Sequence, residues 1–125
     1  MTNSPLYPRT LGLLTLAYGI FTASKPSSLL GVAGLEPRGA EPTPSGLTLG
    51  TLVGARDTFS GLAMLLAPPG PALQAAVLAR VACDASDVVG FGVGVPAQSK
   101  AKVVAVAAGW GLLCATSLRA AGRRE

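Results

Sequence analysis

Apolar residues occur along the chain in four blocks, at about 8–24, 47–67, 72–95 and 101–119, separated by polar or proline-rich breaks. Each block is too long for a buried strand and suits a helix. A membrane-spanning helix takes roughly 17 to 25 residues. The blocks therefore predict an all-α fold: a four-helix transmembrane bundle forming a single domain over residues 1–125. Between the second and third blocks, "APPGP" (67–71) reads as a tight turn, and "VPAQSK" (95–100) is a second short connection. Such short links predict antiparallel neighbours among the last three helices. The loop 25–46 is longer. Its first part, Pro26 to Leu35, is mildly apolar and predicts a short interfacial helix after helix 1; its second part is Pro-rich and polar, and reads as a solvated loop. A secretory signal peptide is the competing reading of the first block.

Composition strengthens the membrane reading. Half of the residues are hydrophobic and only 13% are charged, against about 25% in soluble domains. The chain is thus expected to be an integral, multi-pass protein of a bacterial plasma membrane, surrounded by membrane lipid. Arg9, Arg119, Arg123 and Arg124 fall on the side of the termini, and Lys25, Arg38, Lys100 and Lys102 on the other. This even division leaves the orientation open. The net charge of +4 is scattered, without a basic helix or an aromatic-lined groove, so nucleic acid is not an expected partner. The chain has no histidine, which excludes His-based catalysis and His-ligated metals. Cys83 and Cys114 lie far apart, form no CxxC, and read as small buried hydrophobes. No P-loop or dinucleotide fingerprint occurs, and no cofactor is expected; "GFGVG" lies inside an apolar block.

Five ionisable residues interrupt the apolar blocks. All three aspartates of the chain, Asp57, Asp84 and Asp87, fall in the second and third blocks, with Arg56 and Arg80 beside them. A charge at the centre of a spanning helix costs roughly 2.5 to 3.5 kcal/mol, so the five are expected to meet in a sheltered interior. At about 100° per residue, Arg80, Asp84 and Asp87 share one helix face, with Ala76 and Phe91 on the same stripe. Gly50, Gly54, Asp57, Ser60, Gly61 and Met64 share another. Arg56 projects away from Asp57, which predicts that it pairs with a carboxylate of the third block instead. Gly50/Gly54 and Gly90/Gly94 have the spacing of close helix packing. Tyr18 and Trp110 are candidate walls for the polar cluster.

The segment Gly54 to Gly92 resembles small four-helix membrane families of unknown function, some encoded beside natural-product genes. The resemblance is carried by Gly54, Arg56, Asp57, Gly61, Leu62 and Asp84. It implies a fold and a membrane location, not a reaction.

Three carboxylates to two guanidiniums leave one carboxylate unmatched. An uncompensated buried charge is costly, so that group is expected to hold a proton, and an acid beside an ionised carboxylate suits general acid–base chemistry. The sequence therefore points to a membrane-embedded, cofactor-free enzyme acting on a lipophilic small molecule by epoxide opening, cyclisation or isomerisation. Asp57 and Asp84 would be the acid/base pair, Arg56 or Arg80 the orienting group and Asp87 a support, with Ser60, Tyr18 and Trp110 lining the pocket. In residue types, though not in motif, an Asp–Arg–Asp set is similar to that of the soluble limonene-epoxide hydrolases. The two arginines argue against a metal among the aspartates. A proton-coupled transporter or channel-like oligomer, a homodimer at least, is the alternative, as is a structural salt-bridge network.

Overall fold

The computed structural model describes residues 4–123, nearly all of them helical. Helix α1 spans Leu6–Ser24, α2 Pro26–Val32, α3 Pro44–Leu66, α4 Pro71–Gly94, α5 Ala97–Thr116 and α6 Leu118–Ala121. Proline sets most of the starts. Pro26, Pro44 and Pro71 open α2, α3 and α4, and Pro96 immediately precedes α5. Proline suits a first turn because the amide hydrogen it lacks has no helical partner there. Thr43 adds an N-cap, its hydroxyl accepting from the Gly46 amide at 3.1 Å. The 67–70 turn closes on Gly70, whose φ of 110° favours glycine, and the Gly70 amide donates to the Ala121 carbonyl of α6 at 2.8 Å.

No helix among the described residues is long and apolar enough to cross a membrane. This overturns the expected transmembrane bundle and with it the multi-pass membrane location. Length is sufficient, since α3 and α4 have 23 and 24 residues; apolarity is not. Arg56 and Asp57 interrupt α3, three charged residues interrupt α4, Lys100 and Lys102 lie in the first turns of α5, and glycine, serine and threonine dilute every block. The apolar residues are also not gathered inside. Phe59, Leu66, Val89, Val93 and Leu112 all face outward.

The helices pair differently from the order of the turns. The most extensive contact is between α1 and α3, and the next between α4 and α5, while α3 and α4, joined by the 67–70 turn, touch far less. The α1–α3 pair is antiparallel and is seated on glycine. A Cβ built at Gly61 would lie 2.4 Å from the Leu16 amide nitrogen, one at Gly19 2.3 Å from that of Thr58, and one at Gly54 2.4 Å from that of Ala23. Backbones can approach this closely only where no side chain intervenes. The buried stripe of α3 is Gly46, Gly50, Gly54, Asp57, Gly61 and Met64, and its glycines from Gly50 to Gly61 seat α1 and the start of α2. Gly90 and Gly94, expected to pack likewise, have no atom within 4 Å of a built Cβ, so their spacing serves no close contact.

A compact core of Leu11, Met64, Leu73, Val77, Cys114 and Ala121 fills one end of the molecule. There Arg9 donates to the Leu65 and Ala67 carbonyls at the end of α3, a cation placed where the helix dipole is negative. The other end is open, and α2 lies across it.

Candidate functional site

Asp57 sits near the middle of α3 because the glycine stripe carries its face of the helix inward. Arg80 and Asp84 follow Leu73 and Val77 along the buried stripe of α4. The two helices thus bring their charges together at the level where the core ends. All five charged residues singled out in the sequence meet there, in a chain that alternates in sign. Arg56 grips Asp87 with two hydrogen bonds, Nη1 to Oδ1 and Nη2 to Oδ2, both 2.7 Å. It also donates to Asp57 Oδ1 from Nε at 3.2 Å and from Nη2 at 3.0 Å. Arg80 Nη1 reaches the same Asp57 oxygen at 2.6 Å, while its Nη2 and Nε hold Asp84 Oδ1 and Oδ2 at 2.7 and 3.3 Å. The second hydrogen of Arg80 Nη1 goes to Ser60 Oγ at 2.9 Å.

The contact between Arg56 and Asp57 corrects the expectation that they point apart. Their Cβ atoms do diverge, but the guanidinium is long enough to swing back while it holds Asp87. Asp57 becomes the hub of the network. Its Oδ1 accepts from both arginines, whereas its Oδ2 takes no hydrogen bond among the described residues and is not a buried, unpartnered atom.

Burial is deep: Arg80 is 1% exposed, Asp84 5% and Asp57 6%. Burial pushes the Asp84 carboxyl above its ordinary value, and Arg80 opposes that rise without cancelling it. Burial also works against the charge on Arg80, but Asp57 and Asp84 more than offset it, and the guanidinium stays charged. Hydrogen bonds to Asp87 hold Arg56 charged in the same way, against a smaller effect of burial. Beside the network, burial lifts the Cys114 thiol to about 11, so it remains a protonated, inert part of the core. Cys83 and Cys114 are both free.

Asp57, Arg80, Asp84 and Asp87 form one end of a cavity of about 380 Å³ that lies between the α1–α3 pair and the α4–α5 pair. That volume is within the range of sites for small organic ligands. The remaining walls are apolar. Tyr18 and Trp110 both line it. The Trp110 indole donates to Thr15 Oγ1 at 2.9 Å, tying α5 to α1. Ser60 does not line the cavity and acts one step removed, through Arg80.

Sequence reasoning missed the α2 wall (Leu29, Val32 and Ala33) and most of the α5 wall. Lys102 appeared only as a flanking base, yet it lines the cavity with Val106 and Trp110. The 102, 106, 110 spacing on one helix face was the available signal. Among the described residues no group of three or more acidic or thiol side chains is arranged to hold a metal ion.

Comparison with protein-family models, with curated proteins and with solved structures finds no match to this chain.

Proposed function

We propose that the protein is a cofactor-free acid–base enzyme that opens an epoxide on a lipophilic small molecule. One observation carries this reading. A single guanidinium, that of Arg80, holds two carboxylates side by side at the end of an apolar cavity. One of them, Asp57, keeps an oxygen free; the other, Asp84, is biased toward its protonated form. Acid and base are thereby distinguished by their surroundings.

In this reading Asp84 is the acid. Its Oδ2 is the more weakly held oxygen, at 3.3 Å from Arg80 Nε, and can carry the proton while Oδ1 keeps Arg80 in place. Asp57 Oδ2 is the base. A water, or a hydroxyl of the substrate itself, attacks an epoxide carbon and gives its proton to Asp57. The carbon–oxygen bond breaks, and the ring oxygen takes the proton of Asp84. The product is a diol or a cyclic ether alcohol, and exchange with solvent returns the proton from Asp57 to Asp84. Arg80 and Arg56 orient the carboxylates, and Ser60 positions Arg80.

The test is incubation of the purified protein with a panel of lipophilic epoxides in ¹⁸O-labelled water. Labelled diol, or an unlabelled cyclic ether from a hydroxy-epoxide, is the expected outcome. Asp57→Asn and Asp84→Asn should each lower turnover by about a hundredfold or more while retaining helical circular dichroism. Full turnover by folded Asn variants would remove the proposed roles. An inert wild type whose Asn variants unfold would instead assign the five charges to holding the helices together.

A further inference from the structure

The proposed chemistry uses only one end of the cavity, and the far end carries a charge of its own. Lys102 lines the cavity on α5 and makes no ion pair among the described residues. Val32, Phe91, Val103 and Val106 line the same cavity. Asp84 lies opposite Gly111, where a built Cβ would be 3.0 Å from that of Asp84. Lys102 is nine residues earlier on the same helix, or about 13 Å along its axis. Val32 also borders a second, shallower hollow that contains Lys25 and Arg38.

The two cations of the lining differ in their pairing. Arg80 is held by Asp57 and Asp84, whereas Lys102 has no carboxylate within ion-pair distance among the described residues and is left as the unpaired cation of the lining. A neutral lipophile would leave it so; an anion would match it.

We infer that the substrate is an elongated lipophile with a carboxylate or similar anionic group at one end. The anion pairs with Lys102 at the mouth, the apolar body fills the space between Val32, Phe91, Val103 and Val106, and the reacting group reaches Asp57 and Asp84. This rests on the acid–base reading for the end of the cavity at which the substrate reacts, but it concerns recognition and is measured separately.

Trp110 is the single tryptophan of the chain and lines the cavity, so its fluorescence reports occupancy. The probes are octanoate, decanoate and dodecanoate, each compared with the alcohol of the same length. Wild type should bind the carboxylates more tightly than the alcohols. Lys102→Gln should weaken carboxylate binding by about three- to fivefold, the scale of a partly exposed ion pair, and leave alcohol binding unchanged. Lys102→Glu should reverse the preference. Equal loss for acid and alcohol, or no loss for either, overturns the assignment of Lys102. So does failure of every probe to bind. Fluorescence does not depend on turnover: if Asp84→Asn retains epoxide opening while Lys102→Gln loses carboxylate affinity, the catalytic reading falls and the anion site stands. The converse pair of results has the opposite meaning.

Discussion

Asp84 and Asp57 are the same residue type on the same guanidinium, yet their positions differ in what they permit. Asp84 is enclosed by Arg80 on one side and by the α5 backbone at Gly111 on the other, and burial raises its affinity for a proton. An acid whose pKa is higher in the folded than in the unfolded chain binds more protons when folded. Its contribution to stability is therefore complete below the unfolded value, near 3.8, and is lost as pH rises through the higher folded value. Denaturant unfolding should thus show stability declining as pH rises upward from about 4, and Asp84→Asn should flatten that decline. Turnover that needs the protonated acid should fall over the same rise in pH. A slope that persists unchanged in Asp84→Asn would assign the effect to another group. Arg80 has a different role. It satisfies two buried carboxylates at once, so Arg80→Ala leaves both without their shared partner and should cost about 3 to 5 kcal/mol, well beyond the effect of either Asn substitution.

At the level of helices, the glycines divide into those that seat a neighbour and those that do not, a difference invisible in their spacing. Gly61→Ala would press a methyl group against the Leu16 and Gly12 backbone, at 2.4 and 2.6 Å. Neither contact is a side chain that can turn aside. The expected cost is about 1 to 3 kcal/mol or more. Gly90→Ala meets nothing and should stabilise α4 by about 0.5 to 1 kcal/mol, since alanine loses less freedom on folding. Thermal unfolding of the two variants should move in opposite directions. The positions of the helices were legible in the sequence because prolines punctuate them, and the inward face of α3 was legible from its small residues. The partner of that face was not. The tight 67–70 turn suggested α4, but the turn fixes only where the chain reverses. Glycine decides which backbone can come closest, and it admits α1. The pairing of Arg56 with Asp57 was hidden for a related reason. Angles around a helix describe Cβ directions, and a long guanidinium is not bound by them.

At the scale of the whole molecule, the membrane reading failed because composition counts apolar residues without regard to where they point or what interrupts them. The same interruptions make the interior unusual: one end is filled by Leu11, Met64, Leu73, Val77 and Cys114, and the other is a cavity between two helix pairs. Few direct contacts join α3 to α4. Besides that apolar end, the halves are tied by polar contacts: Arg80 to Asp57, Arg56 to Asp87, Trp110 to Thr15, and Tyr7 to Thr116 at 2.8 Å. A ligand that fills the cavity touches α1, α2, α3, α4 and α5 together, so it should act as a further tie between the halves. Binding only the folded state at a hundred times its dissociation constant adds about 2.7 kcal/mol. Dodecanoate at that excess should therefore raise the melting temperature by several degrees, because a domain of this size shifts by about 4 °C or more per kcal/mol. The rise should shrink in Lys102→Gln at the same concentration. Val106→Trp, which places a bulky ring in the α5 wall, should abolish it while leaving the unliganded melting temperature close to that of wild type, since Val106 is well exposed and supports no core contact. A dodecanoate shift of undiminished size in Val106→Trp would mean that the fatty chain binds elsewhere on the apolar exterior, and that the space between the helix pairs is not where this protein receives its ligand.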